Sequence, residues 1–153
     1  VHGVDARSIT VEVNVTQGKD FHMSGLPDAA VKESQHRVES SFKSLKFFMP
    51  RNKVVVNLAP ADLRKEGSAY DLPIALSVLK ASGQIEAPNL DQYVIMGELS
   101  LDGLLRPIKG VLPIAIEARK RGFKGFILPE ENAATKSPQD LVLAQEVGIG
   151  FII

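Results

Sequence analysis

Apolar and polar residues alternate without exception between Ser8 and Thr16, and every apolar position there is isoleucine or valine. A period of two in β-branched residues predicts a strand with one face in solvent. The turn sequence Gln17–Asp20 follows, so Phe21–Ser24 is predicted to return as a second strand. Three consecutive valines in Lys53–Leu58 predict a central strand covered on both faces.

Three segments carry apolar residues at helical spacing. The first is predicted to begin at Pro27-Asp28 and to run to Leu45, with Glu33 and Arg37 as an outward-facing i,i+4 pair. The second contains Ile74 to Leu79 and ends before Gly83, and the third contains Val111 to Ala118 and ends before Gly122, because glycine favours the residue after a helix.

Further strands are predicted in the second half of the chain. Asp102-Gly103 is a strong hairpin signal, so Leu104–Ile108 is predicted to pair with Glu98–Leu101. The other predicted elements are the strands Tyr93–Met96, Phe126–Leu128 and Ile149–Ile153 and a short helix over Glu130–Lys136. This order predicts one mixed α/β domain spanning residues 1–153.

Composition excludes several classes of function. The 153 residues include 18 basic and 18 acidic side chains, three histidines and no cysteine. Disulfides, thiolate metal sites and a cysteine nucleophile are therefore excluded, and the histidine spacings predict no metal site. Charge neutrality disfavours nucleic-acid binding over the whole surface but leaves local patches.

The longest uncharged runs are far shorter than the roughly twenty residues that span a bilayer. We therefore expect no membrane partner, and a cytoplasmic location, since no signal-peptide pattern is visible. The chain begins at Val1 and ends within an apolar run, so we expect it to be part of a longer protein.

A dense polar cluster lies between the predicted central strand and the second helix. We call it the interface loop; its members are Asp62, Arg64, Lys65, Glu66, Tyr70 and Asp71. Loops in this position often carry function, and nearby Ser68 could form a hydrolytic dyad with a partly desolvated lysine. The alternative is a solvated loop in which Asp71 or Ser68 caps the next helix.

Two groups of cations are candidate DNA contacts. The first basic cluster comprises Lys43, Lys46, Arg51 and Lys53, and the second comprises Arg119, Lys120 and Arg121. Phe47 and Phe48 lie within the first, a mixture typical of single-strand nucleic-acid surfaces. The alternatives are a helix end with one phenylalanine in the core, and cations favoured by a helix C-terminus. Glu98 and Asp102 are either paired carboxylates or ordinary outward-facing residues.

Longer motifs point to a family. They are Val1–Ala6, Gly25–Ser34, Asn57–Gly67 continuing to Tyr70–Ala75, and Gly97–Gly103. Together they closely resemble the N-terminal domain of the bacterial magnesium-chelatase-like AAA+ ATPases, the family that includes the competence protein ComM. The resemblance covers essentially the whole chain.

The resemblance implies a fold related to domain two of ribosomal protein S-five and to the proteolytic domain of Lon. It also implies a downstream AAA+ module that binds ATP and Mg²⁺ and forms rings, expected to be hexameric. Members of the ComM type resemble helicases that promote branch migration during DNA uptake. The chain itself has no Gly-x4-Gly-Lys-Ser/Thr motif, so no cofactor site is predicted in it.

The Lon resemblance also bears on catalysis. Matching Pro107–Gly110 to the turn before the Lon lysine places Leu112 at the lysine position. The serine position falls on Ala69 or, in a shifted alignment, on Asp71. Three hypotheses follow: a non-catalytic accessory domain of a AAA+ motor, which we favour; a Ser/Lys peptidase; and a DNA-binding module.

Overall fold

Strands and helices follow one another almost in the predicted order. The computed structural model describes residues 8–134 and 151–152. The strands are β1 (Thr10–Thr16), β2 (Asp20–Ser24), β3 (Lys53–Ala59), β4 (Tyr93–Ile95), β5 (Glu98–Leu99), β6 (Leu105–Arg106), β7 (Gly125–Ile127) and β8 (Phe151–Ile152). The helices are α1 (Ala29–Lys32), α2 (Ser34–Ser44), α3 (Asp71–Ala81), α4 (Val111–Lys120) and α5 (Glu130–Ala134), with a 3-10 turn at Leu90–Gln92.

The predicted first helix is divided in two. Asp28 caps α1 by accepting a hydrogen bond from the Val31 amide at 2.8 Å, and α2 begins one residue after Glu33. The outer parts of the last predicted helix and strand, Thr135–Lys136, Ile149–Gly150 and Ile153, lie outside the described residues.

The first sheet has the strand order β1-β3-β2. β2 does return after the predicted turn, but it pairs with β3 in parallel rather than with β1. β1 pairs with the other edge of β3 in antiparallel register, with Val13 opposite Val56. The chain therefore places its most apolar strand in the centre of the sheet.

Only one face of β3 is fully covered, so the prediction of burial on both faces is wrong. Val54, Val56 and Leu58 are buried together with apolar residues of α2 and α3. The opposite face is only partly buried, and it carries Asn57, whose side-chain amide donates to Glu12 at 2.9 Å.

Three helices end in the same way. In α3 and α4 the predicted Gly83 and Gly122 adopt φ of 77° and 79°. At the end of α2 the equivalent residue is Lys46, with φ of 65°. In each case the amide of the following residue donates to the carbonyl five residues earlier, as in Phe47 to Phe42 at 2.8 Å, which defines a Schellman motif.

The predicted hairpin forms but is shorter than expected. Its strands pair only at Glu98–Arg106 and Leu99–Leu105, because Ser100 already closes the turn by donating its amide to the Leu104 carbonyl at 2.8 Å. A second sheet, β4-β7-β8, is parallel and packs on α4 through a smaller apolar cluster. Within the described residues, no helix combines the length and apolar character needed to cross a bilayer.

Candidate functional site

The interface loop connects β3 to α3, and its six residues divide by exposure. Asp62, Arg64 and Glu66 are exposed, whereas Tyr70 is half-buried. Lys65 and Asp71 are only 1% and 0% exposed. The interface loop therefore presents three of its charged side chains to solvent and uses two others inside the fold.

Lys65 holds two loops together. Its ammonium donates to the Gly25 carbonyl at 2.6 Å and, through a shorter contact, to the Pro60 carbonyl. Its backbone pairs with the same loop, because its amide donates to Leu26 at 3.0 Å and its carbonyl accepts from Asp28 at 2.9 Å. A buried ammonium needs such partners. The prediction that Lys65 contacts a partner at the surface is therefore wrong.

Asp71 occupies the first turn of α3 without capping it, since α3 has no side-chain cap hydrogen bond. Its carboxylate accepts from Ser34 Oγ at 2.6 Å, from the Leu99 amide at 3.0 Å, and from Arg37 Nε and Nη2 at 2.6 and 3.0 Å. These bonds join α2, α3 and β5. Asp71 is therefore a buried junction rather than an interface residue, and the predicted caps at Asp71 and Ser68 are wrong.

Arg37 is the residue that sequence reasoning missed. Glu33 does approach it at 3.6 Å, as predicted, but the guanidinium turns inward to bind Asp71 with two nitrogens. The Asp71 hydrogen bond raises the pKa of Arg37 against the opposing effect of burial. A signal was available: a carboxylate at the start of an otherwise apolar helix requires a cation when it is buried.

Asp28 and Tyr70 complete the buried side of the interface loop. Besides capping α1, the Asp28 carboxylate accepts from the Gly67 amide at 3.3 Å. Burial, with the nearby Asp28 charge, raises the pKa of Tyr70 above its ordinary value. The loop is thus held at Lys65, at Gly67 and at Asp71.

The hydrogen-bond partner of Ser68 is a carboxylate. Its hydroxyl donates to the carboxylate of Glu98 in a short hydrogen bond, and Glu98 also lies 3.7 Å from Arg106. Asp102 is exposed and accepts a hydrogen bond from Ser100, which lowers its pKa. Glu98 and Asp102 thus have separate partners, in agreement with the reading of them as ordinary outward-facing residues.

The first basic cluster is fully on the surface, since Lys43, Lys46, Arg51 and Lys53 are all exposed. Within residues 8–134, none of the four forms an ion pair. One phenylalanine is packed and the other is not. Phe47 is half-buried with its ring edge-on to Phe42 at 6.1 Å, whereas Phe48 is 60% exposed.

A groove of about 370 Å³ adjoins this cluster. Its charged lining residues are Lys19, Asp20, Glu39 and Arg51. Their formal charges cancel, so the groove by itself does not select anions.

The second basic cluster lies where the sequence places it, at the C-terminal end of α4. Arg119, Lys120 and Arg121 are exposed, and Arg121 pairs with Glu117 of the same helix at 3.1 Å. Across the described part of the chain, no group of three histidine or acidic residues is arranged to hold a metal ion.

Comparison with known proteins places this geometry in a family. A family model described as subunit ChlI of Mg-chelatase matches residues 11–132, which is well over half of the chain. The chain belongs to the magnesium-chelatase ChlI family.

Relatives of this ChlI-family chain agree with that assignment. Competence protein ComM of Haemophilus influenzae is 45% identical over 132 residues, covering 86% of this chain and 26% of ComM. The uncharacterized protein YifB of Salmonella typhimurium is 46% identical over 133 residues, with the same coverage of 86% and 26%. The ChlI-family chain thus spans about a quarter of the length of these relatives, and the resemblance drawn from its motifs is confirmed.

A more distant similarity concerns the fold. Lon protease 2 of Bacillus subtilis is 31% identical over 171 residues, which cover 99% of this chain and 29% of the protease. The mixed α/β architecture of the ChlI-family chain fits a Lon-related fold, as predicted.

Proposed function

We propose that this ChlI-family chain is a non-catalytic accessory domain of a larger AAA+ ATPase, in which it engages DNA and assembles with the ATPase module. The proposal rests on the hydrogen-bond partners of the side chains that could take part in catalysis. Lys65, Ser68 and Asp71 are all committed to hydrogen bonds within the fold. The groups left for outside partners are exposed charges.

A Ser/Lys peptidase is the competing function, suggested by the similarity to Lon protease 2. A serine becomes nucleophilic when a neighbouring base removes its proton. The Ser68 hydroxyl donates to the carboxylate of Glu98 rather than to a lysine amine, and the Lys65 amine donates to two carbonyls, so these two residues do not form a Ser/Lys dyad. Position 112, which the Lon resemblance aligns with the lysine, is a leucine.

A fluorophosphonate probe of active serines tests this choice. We expect no labelling of the wild-type chain above the level of the Ser68→Ala variant. Stoichiometric labelling that Ser68→Ala abolishes would establish the peptidase and overturn the accessory role.

The DNA part of the proposal rests on the two exposed basic clusters and on the relative named competence protein ComM. Binding through phosphates is salt-sensitive, because each contact releases counterions. Labelled oligonucleotides should bind at low salt and dissociate as salt is added. The variants Lys46→Ala/Arg51→Ala and Arg119→Ala/Arg121→Ala assign the contact to one cluster, and the absence of binding at low salt would remove this part of the proposal.

The assembly part uses the exposed side of the interface loop. Asp62, Arg64 and Glu66 are proposed to contact the AAA+ module or a neighbouring subunit of a ring, expected to be hexameric, in the cytoplasm. ATP and Mg²⁺ would bind to that module. In the full-length protein, replacing all three by alanine should lower the oligomer mass in sizing experiments without changing the circular dichroism, and an unchanged oligomer and ATPase rate would contradict the assignment.

A further inference from the structure

Lys46 occupies a position that the other two Schellman motifs give to glycine. A residue with a Cβ is strained at φ of 65°, and glycine is the usual solution, as at Gly83 and Gly122. Lysine offers the backbone no compensating local hydrogen bond of the kind that asparagine offers. Strained backbone conformations of this kind cluster at functional sites.

Phe48, two residues later, is exposed but held in place. The Gln84 side chain accepts from the Phe48 amide at 3.1 Å and donates to the Phe48 carbonyl at 2.9 Å. Gln84 is itself fixed by the end of α3, because its own amide donates to Leu79 at 2.9 Å. The Phe48 backbone is therefore anchored while its ring is 60% in solvent.

These two residues belong to one short segment. Their Cα atoms are within about 7 Å of each other, because they are two residues apart. The first basic cluster flanks them on both sides, with Lys43 before and Arg51 after. An exposed, anchored aromatic ring with exposed cations before and after it in the sequence matches the way in which proteins bind single strands, by stacking bases on rings and pairing phosphates with cations.

We infer that Phe48 is a base-stacking platform for single-stranded nucleic acid and that Lys46 is retained in its strained conformation as a phosphate contact. The inference rests on the DNA engagement proposed above and adds the strand type and the residue that contacts the base. The exposed cations on either side of Phe48 in the sequence favour nucleic acid over an apolar protein partner.

The ring is tested by three substitutions at Phe48, with a labelled oligothymidine and a duplex of equal length as probes. Phe48→Ala should weaken single-strand binding at least about fivefold, as expected for loss of one stacked base. Phe48→Tyr should preserve binding, whereas Phe48→Leu, which keeps an apolar side chain without a ring, should lose it. The duplex should bind more weakly than the single strand and should be insensitive to Phe48.

The variant Lys46→Gly should raise the stability of the protein and weaken its binding to the single strand. Relief of the left-handed strain should raise the melting temperature by about 2–4 °C, while loss of the cation weakens binding. Lys32→Ala, an exposed lysine on α1, is the charge-matched control and should bind as wild type.

Two outcomes separate the claims. If Phe48→Ala and Phe48→Leu bind as wild type while Lys46→Ala/Arg51→Ala does not, the base-stacking role of Phe48 is wrong and the proposed electrostatic DNA engagement stands. If no variant changes binding, or no oligonucleotide binds at low salt, the base-stacking role and the DNA engagement are both wrong.

Discussion

Asp71 and Arg37 are separated by 34 residues in the sequence and form a buried ion pair. The carboxylate has no exposure, and four donors from Ser34, Arg37 and Leu99 surround it. Local sequence patterns describe neighbours along the chain, so they identified Glu33 as the partner of Arg37 and missed the distant one. The burial of Lys65 was missed for the same reason, since its carbonyl partners lie in other loops.

Removal of the Asp71 carboxylate should strongly destabilise the protein. Asp71→Ala leaves the Arg37 guanidinium and the Leu99 amide without their partner in a largely buried place. Loss of one member of a buried pair lowers the free energy of unfolding by about 3 kcal/mol or more. Urea denaturation followed by circular dichroism measures this change.

Glu33→Ala is the matched control, because it removes the exposed partner of the same arginine. Its side chain is 64% exposed, so its loss should change the free energy of unfolding by at most about 1 kcal/mol. Equal effects of Asp71→Ala and Glu33→Ala would show that the buried junction contributes no more than a surface ion pair.

Tyr70 provides a prediction at alkaline pH. Burial and the Asp28 charge both disfavour the phenolate, so the pKa is raised in the folded state. The resulting stabilisation is present below the ordinary pKa of about 10 and is lost as the pH rises through the raised value. With two tyrosines in the chain, the difference in phenolate absorbance between wild type and Tyr70→Phe isolates this group. A difference curve with its midpoint at or below pH 10 would refute the assigned burial.

At the scale of elements, the sequence predicted which segments form strands and helices better than which strands pair. The alternation in β1, the helix ends at Gly83 and Gly122 and the turn at Asp102-Gly103 are local signals, and the structure contains each of them. The insertion of β3 between β1 and β2 is a long-range choice. The central position of β3 follows from burial of the most apolar strand. The periodicity within a single strand does not reveal which strands will be its neighbours.

Gly25 marks the point where the loop after β2 lies against β3. A Cβ at this position would lie 2.0 Å from the Leu58 carbonyl oxygen, whereas a Cβ at Gly67 would have no neighbour within 4 Å. Both glycines have positive φ, so alanine strains either backbone by about 1–2 kcal/mol.

Gly25→Ala should therefore lower the free energy of unfolding by about 1–3 kcal/mol more than Gly67→Ala does, because only Gly25→Ala forces the backbone apart. Chemical denaturation of the two variants gives the difference directly. Equal losses would mean that the close approach of this loop to β3 is not rigid.

At the scale of the whole molecule, formal neutrality conceals an uneven surface. The 18 basic and 18 acidic residues cancel overall, yet the first basic cluster gathers four exposed cations within eleven residues, between Lys43 and Lys53. Balanced composition therefore disfavours binding of nucleic acid over the whole surface but leaves local patches such as this one. Among the described residues of this ChlI-family chain, Lys65, Ser68 and Asp71 form hydrogen bonds within the fold. The four cations of the first basic cluster are exposed and form no ion pair in that part of the chain.

The salt dependence of single-strand binding tests this account most directly. Each phosphate neutralised contributes about −0.7 to the slope of log K against log salt, so four cations predict a slope of about −3. Lys46→Ala/Arg51→Ala should reduce the magnitude of that slope by about 1.4, while Lys32→Ala should leave it unchanged. A slope near zero in the wild type, or one that the double substitution does not alter, would contradict the account.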